Sequence, residues 1–161
     1  MDFAPLALLP KGALVIMKEI LRHLLRRPVV GIAAAARTED GRWLFIRRSD
    51  TGTWAFAGGT LEWGETLRST LLRELEEEAG VTEVQIGKIV GVYSRPDRDP
   101  RFHGVTVLVD CVVSPPTKAP ANPLEIREVR LFSPPDFPRP LALAMDDMLE
   151  AALAGGPAVL E

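Results

Sequence analysis

Residues 58–81 read GGTLEWGETLRSTLLRELEEEAGV and crowd Glu74, Glu76, Glu77 and Glu78 into adjacent helical turns. Like charges three and four apart on a helix repel by roughly 0.2–0.5 kcal/mol a pair, so the crowding asks for something positive between them. The spacing predicts a helix from about Thr66 to Ala79, closed by Gly80 at the position a C-cap glycine takes. At about 100° per residue, Glu77 lies about 60° to one side of Glu74 and Glu78 about 40° to the other, while Glu76 points away. Leu71, Leu75 and Ala79 form a separate stripe that can bury itself against a sheet. Three carboxylates on one rigid face make a hard-oxygen site suited to Mg²⁺ or Mn²⁺; the competing reading is a solvated acidic surface.

On either side of this segment the pattern is that of strands. Val30 to Thr38 and Trp43 to Arg48 flank Asp40-Gly41, a hairpin turn signal. TWAFA, residues 53–57, is a short apolar piece before the glycine pair. Val84 to Tyr93 and Gly104 to Val113 read as two further strands, and in the second Val105, Val107, Val109, Cys111 and Val113 alternate onto one face. Residues 115–123, PPTKAPANP, read as a loop, 126–132 as a strand, and Leu141 to Leu153 as a closing helix. Residues 12–27 carry apolar residues at helical spacing. That helix is expected to pack on the domain or on a second copy of the chain, which would make a homodimer, or to lie on a membrane surface. The divisions expected are an extension over 1–28, a domain over 29–155 and a tail over 156–161. Strands with interspersed helices imply an α/β fold, a mixed sheet covered on both faces.

The 161 residues, 47% hydrophobic and 25% charged, suit a single domain with a real core, so neither metal nor disulfide is needed to hold it together. A net charge of −3 gives no bulk attraction to nucleic acid. The single cysteine, Cys111, excludes an internal disulfide framework and fits a reducing, cytoplasmic setting. Asp2, Pro5, Pro10 and Lys11 argue against a signal peptide, and no apolar run is long enough for a membrane span.

The spacing Gly59, five residues, Glu65, seven residues, Arg73-Glu74-Leu75, one residue, Glu77-Glu78, one residue, Gly80-Val81 resembles the complete Nudix box, the signature of the Nudix hydrolases. A chance match of seven fixed residues and two apolar ones is on the order of 10⁻⁷ for a chain of this length. The order of elements from about Val30 to Leu153 is also similar to the family. One departure is Ala57, where many members have proline before the glycine pair. The resemblance implies an α/β/α sandwich and metal-dependent hydrolysis of a nucleoside diphosphate linked to another moiety. It implies Glu74, Glu77 and Glu78 as metal ligands, with Glu65 and Arg73 supporting them. The backbone at Gly58 and Gly59 can approach metal or phosphate closely because no side chain intervenes, so Gly58 joins the metal-binding set. The general base is either a box glutamate, Glu77 or Glu78, or Glu125 from the loop after PPTKAPANP.

Substrate choice is expected outside the box. The loop VYSRPDRDPRFHGV, 92–105, carries Arg95, Arg98, Arg101 and His103, and arginines there can clamp phosphates. Pro96, fifteen residues past Val81, resembles the subgroup that cleaves ADP-ribose. Arg47 and Arg48 end a strand near the same mouth; one of the two is expected at the substrate, with Arg47 chosen. Trp54 and Tyr93 are candidates to stack on a base. Two other functions remain open: a nucleoside triphosphate pyrophosphohydrolase that clears oxidised dNTPs, and a non-catalytic nucleotide sensor.

Overall fold

Gly41 at φ 83° makes the turn that Asp40-Gly41 demands. It folds the first two strands, β1 (Val29–Arg37) and β2 (Trp43–Arg48), into an antiparallel pair with Arg37 opposite Trp43. The architecture comes from a computed structural model that describes residues 15–21 and 27–161. Residues 15–21 form a helical segment, α1; of the helix expected over 12–27, residues 12–14 and 22–26 lie outside the described residues and Arg27 is not helical. Then follow β3 (Trp54–Ala55), β4 (Ala57–Thr60), α2 (Leu67–Ala79), β5 (Val84–Tyr93), β6 (Gly104–Val113), β7 (Ile126–Phe132), a 3-10 turn (Ala142–Ala144), α3 (Asp146–Ala154) and β8 (Val159–Leu160). Among the described residues no helix is long and apolar enough to cross a membrane.

One mixed sheet runs β3-β2-β1-β6-β5-β8, with β4 paired to β1 and β7 to β2. Its centre is the parallel pair β1–β6, in register from Val29 opposite Gly104 to Arg37 opposite Val112. Ala33, Ala34, Ala35 and Ala36 are all buried, so the alternation that marks a one-sided strand is missing here. Both faces are covered, as central strands with parallel neighbours require. Phe45 stacks on Phe56 with ring centroids 5.3 Å apart, filling the core beneath β2. The α/β fold with a mixed sheet agrees with the expectation.

Three details depart from the sequence reading. The glycine pair belongs to a strand: in β4, Gly58 lies opposite Ala33 and Gly59 opposite Ile32. A side chain at Gly58 would collide with the β1 backbone at Ile32 O and Ala33 Cα, so only glycine lets the strands come this close. The closing helix is split, because Leu143 and Ala144 take φ of 55° and 51° and the regular helix starts only at Asp146. Finally, residues 156–161 carry β8, parallel to β5, with Gly91 opposite Val159 and Val92 opposite Leu160.

Candidate active site

Helix α2 is fixed at both ends by its own sequence. Thr66 is its N-cap, taking the Ser69 N–H on its hydroxyl at 3.1 Å while Ser69 Oγ accepts the Thr66 N–H at 2.9 Å. Gly80 closes it in the left-handed conformation at φ 64°. Leu71, Leu75 and Ala79 are buried, which pins the helix and turns Glu74 and Glu78 towards β4. The Gly58 N–H donates to Glu78 Oε2 at 2.8 Å. At Gly59 a side chain would fall on the Glu74 carboxylate. The glycine pair therefore serves the acids first, by letting the strand backbone lie against them.

Arg73 is the positive group between the carboxylates. Its Nε and Nη2 donate to the two oxygens of Glu65 at 2.9 and 3.1 Å, and its Nη1 donates to Glu74 at 2.9 Å and Glu77 at 3.3 Å. The Arg73 guanidinium, helped by the Glu62 N–H and the Thr70 hydroxyl, holds Glu65 down at about 2. Glu65 thus remains ionised and locks the arginine, which in turn orients Glu74. Glu76 points away and meets Lys118 at 3.2 Å, as the helical geometry predicts.

Beside this face lies a cavity of about 320 Å³ lined by Gly58, Gly59, Glu74, Glu78, Glu125 and Arg48 among others. A larger hollow of about 580 Å³, near Thr38 and Ser114, contains none of these groups. The choice between them follows the chemistry. Glu78 is buried, and that burial, with repulsion from Glu74 and Glu125, pushes it up to about 8 despite the Gly58 N–H and Arg48. Burial also raises Glu74; Arg73 pulls against it, while Glu77 and Glu125 push with it. These are acids held together against their mutual repulsion.

Such a set fits a divalent cation in donor chemistry, since a cation would favour the ionised form of Glu78 against its burial and against the repulsion from Glu74 and Glu125. Among the described residues no three of them are yet gathered around one point. Glu77 is half exposed and bonded to Arg73, so joining Glu74 and Glu78 requires its rotation. Glu125 comes from a structured turn: its N–H donates to Asn122 O at 3.1 Å and its carbonyl accepts the Ser49 N–H at 2.8 Å.

The expected substrate residues separate. Arg101 lines the cavity, together with Asp99, which it grips through two bonds at 2.9 and 2.7 Å. Arg48, not Arg47, faces the site. Arg47 instead donates to Gly52 O at 2.9 Å and lies over the Trp54 ring. A bulge between Arg47 and Arg48 in the pairing with β7 re-aims the strand end. Because β2 is buried on both faces, parity alone did not reveal which arginine faces the acids. Arg95 turns to Asp97 at 2.7 Å, Pro96 is exposed, and the His103 ring pairs with Ser94 O at 2.8 Å; none of the three is in the cavity wall. Tyr93 is buried and Trp54 packs edge-on against Phe132, so neither offers a face to a base. Phe102, Leu143 and Met145 supply an apolar wall. For Phe102 the signal was its place beside Arg101; for the other two there was none, since a continuous helix had been expected there.

The NUDIX domain model matches residues 25–152. A MutT-like protein of Streptomyces ambofaciens is 41% identical over 80 residues, 50% of this chain and 48% of that protein. An ADP-ribose pyrophosphatase of Methanocaldococcus jannaschii is 38% identical over 73 residues, 44% of this chain and 43% of that one. The chain spans about half the length of the curated relatives it matches. The crystal structure of an ADP-ribose pyrophosphatase from Streptococcus suis 89-1591 superposes with a TM-score of 0.69 at 23% identity, covering 84% of this chain and 100% of that one. That likeness concerns the fold. With the domain matched across most of its length, this chain belongs to the NUDIX family.

Proposed function

We propose that the protein hydrolyses the pyrophosphate bond of a nucleoside diphosphate linked to another moiety, ADP-ribose or a sugar nucleotide, with a divalent metal, Mg²⁺ or Mn²⁺. The observation that carries this reading is the cavity where Glu74, Glu78 and Glu125 face Arg48 and Arg101. Family members generally use divalent metal ions, and here Glu74, Glu78 and, after rotation, Glu77 would hold one. When bound, the metal neutralises phosphate oxygens and makes water a better nucleophile.

The chain's own groups then divide the work. Glu125 takes the proton of the attacking water, with Glu78 or Glu77 as the alternative base within the box. The water oxygen bonds to one phosphorus as the bridging P–O bond breaks, leaving a nucleoside monophosphate and a sugar phosphate. Arg48 and Arg101 hold the phosphates, where paired guanidinium donors match phosphate oxygens. Phe102, Leu143 and Met145 offer an apolar surface for a base or sugar face.

The name of the Methanocaldococcus relative favours ADP-ribose; that of a CTP pyrophosphohydrolase of Escherichia coli, 37% identical over 71 residues, favours a nucleoside triphosphate and so the second reading, removal of oxidised dNTPs as monophosphate and pyrophosphate. A panel of ADP-ribose, other sugar nucleotides, dNTPs and 8-oxo-dGTP, incubated with Mg²⁺ and resolved by chromatography, separates them. Monophosphate with sugar phosphate is the expected product pair. Pyrophosphate released from the triphosphates alone replaces this reading with the second.

A further inference from the structure

Arg98 lies in the 94–103 loop but does not face the cavity; its side chain is only 7% exposed. A buried guanidinium must have every donor satisfied, and this one does. Its Nη1 donates to Ala144 O at 2.6 Å and to Asp147 Oδ1 at 3.0 Å. Its Nη2 donates to Asp147 Oδ2 and Glu161 Oε1, both at 2.5 Å, and its Nε to Glu161 Oε2 at 3.1 Å. The Tyr93 ring closes one side, its centroid 4.9 Å from the guanidinium carbon. Glu161 Oε2 also accepts the Ser94 and Arg95 N–H groups at 2.8 and 2.6 Å, fastening the start of the same loop.

Two segments distant in sequence meet at this arginine, and both supply cavity wall. Immediately after Arg98 come Asp99, Arg101 and Phe102; on either side of Ala144 stand Leu143 and Met145. Leu143 and Ala144 hold the left-handed conformation that non-glycine residues avoid, and the carbonyl Arg98 binds belongs to that pair. We propose that Arg98 is a positioning residue: from outside the cavity it sets the two segments that form the substrate-facing wall, with Glu161 and β8 as its anchor. It touches no substrate, and it acts through Arg101, Phe102 and Leu143. The kinetic part of this inference rests on the pyrophosphatase reading; the structural part does not.

The test uses the full chain with Arg98→Lys, which keeps the charge but loses the planar fork, and Glu161→Gln, which keeps the size but loses the anchor's charge. With ADP-ribose and Mg²⁺, KM is expected to rise about tenfold in Arg98→Lys while kcat stays within about threefold, since ground-state positioning is what is lost. Amide hydrogen exchange is expected to quicken at residues 99–103 and 142–145 together, with β1 and β6 unchanged. Glu161→Gln should shift both readouts the same way by less, and it decides the matter if the lysine variant does not fold. Unchanged exchange in either segment, or a fall in kcat with KM unmoved, overturns the proposal. Should the wild type hydrolyse none of the panel, the reading of function fails and the exchange result alone decides this one.

Discussion

A methyl group added at Gly58 and one added at Gly59 should have opposite consequences. At Gly58 it meets the backbone of Ile32 and Ala33, which cannot move without breaking the β1–β4 pairing. Gly58→Ala should therefore lower stability by about 1–3 kcal/mol, read from denaturant unfolding. At Gly59 it meets the end of the Glu74 side chain, which can swing aside. Gly59→Ala should keep its melting temperature within a few degrees while hydrolysis falls at least about tenfold, as misplaced ligands do. Glu78 supplies a pH signature. Its folded pKa of about 8 lies above the 4.5 of an ordinary glutamate, so the stability held in its protonated form is complete below the unfolded value and lost as pH rises through the folded one. The metal-free protein should lose thermal stability between about pH 5 and pH 8, at no more than about 1.4 kcal/mol per unit. Glu78→Gln should flatten that slope, and so should saturating Mg²⁺, which takes the proton's place. A metal-free melting temperature independent of pH over that window would contradict the burial of this acid.

At the scale of the element, the closing cap of α2 was legible because it acts within a few residues. Gly80 was placed from sequence, whereas Thr66 was read only as the start of the helix and its exchange of hydrogen bonds with Ser69 came from the structure; Thr66→Ala should cost about 1 kcal/mol in urea unfolding. Gly80→Ala should cost more, since Gly80 sits at φ 64° and the Lys118 backbone occupies the space a side chain would need. The stripe of Leu71, Leu75 and Ala79 was legible for the same reason, a helical period recorded in one segment. The strand character of the glycine pair was not, because it depends on β1, more than twenty residues away. Nor was the split before α3, where Arg98 holds the Ala144 carbonyl and Asp146 accepts the Leu141 N–H at 3.0 Å. Local propensity favours a helix there, and tertiary hydrogen bonds override it.

For the whole molecule, the sheet brings β1, β2, β4, β6, α2 and three connecting segments to one cavity, and the sequence pointed to its acids better than to its walls. The box named Glu74, Glu78 and Arg73, and loop position alone pointed to Glu125, which does line the cavity. Of the residues marked in the 92–105 loop only Arg101 lines the cavity, itself paired with Asp99, while Arg95 and Arg98 turn to Asp97, Asp147 and Glu161. Charge along a sequence cannot say which arginines are already paired. A cation that binds the folded cavity and not the unfolded chain should stabilise it by about 2.7 kcal/mol at one hundred times its dissociation constant. Calorimetry with and without Mg²⁺ reads this directly. Glu78→Gln should lose most of the gain.

The most direct measurement is hydrolysis of ADP-ribose by the wild type and by Glu78→Gln, each with Mg²⁺ and with excess chelator, the products resolved by chromatography. The account predicts AMP and ribose 5-phosphate from the wild type with metal only, and a loss on the order of a hundredfold in a variant that still melts cooperatively. Turnover that persists in chelator, or that Glu78→Gln leaves intact, would contradict a reaction carried out on this acidic face.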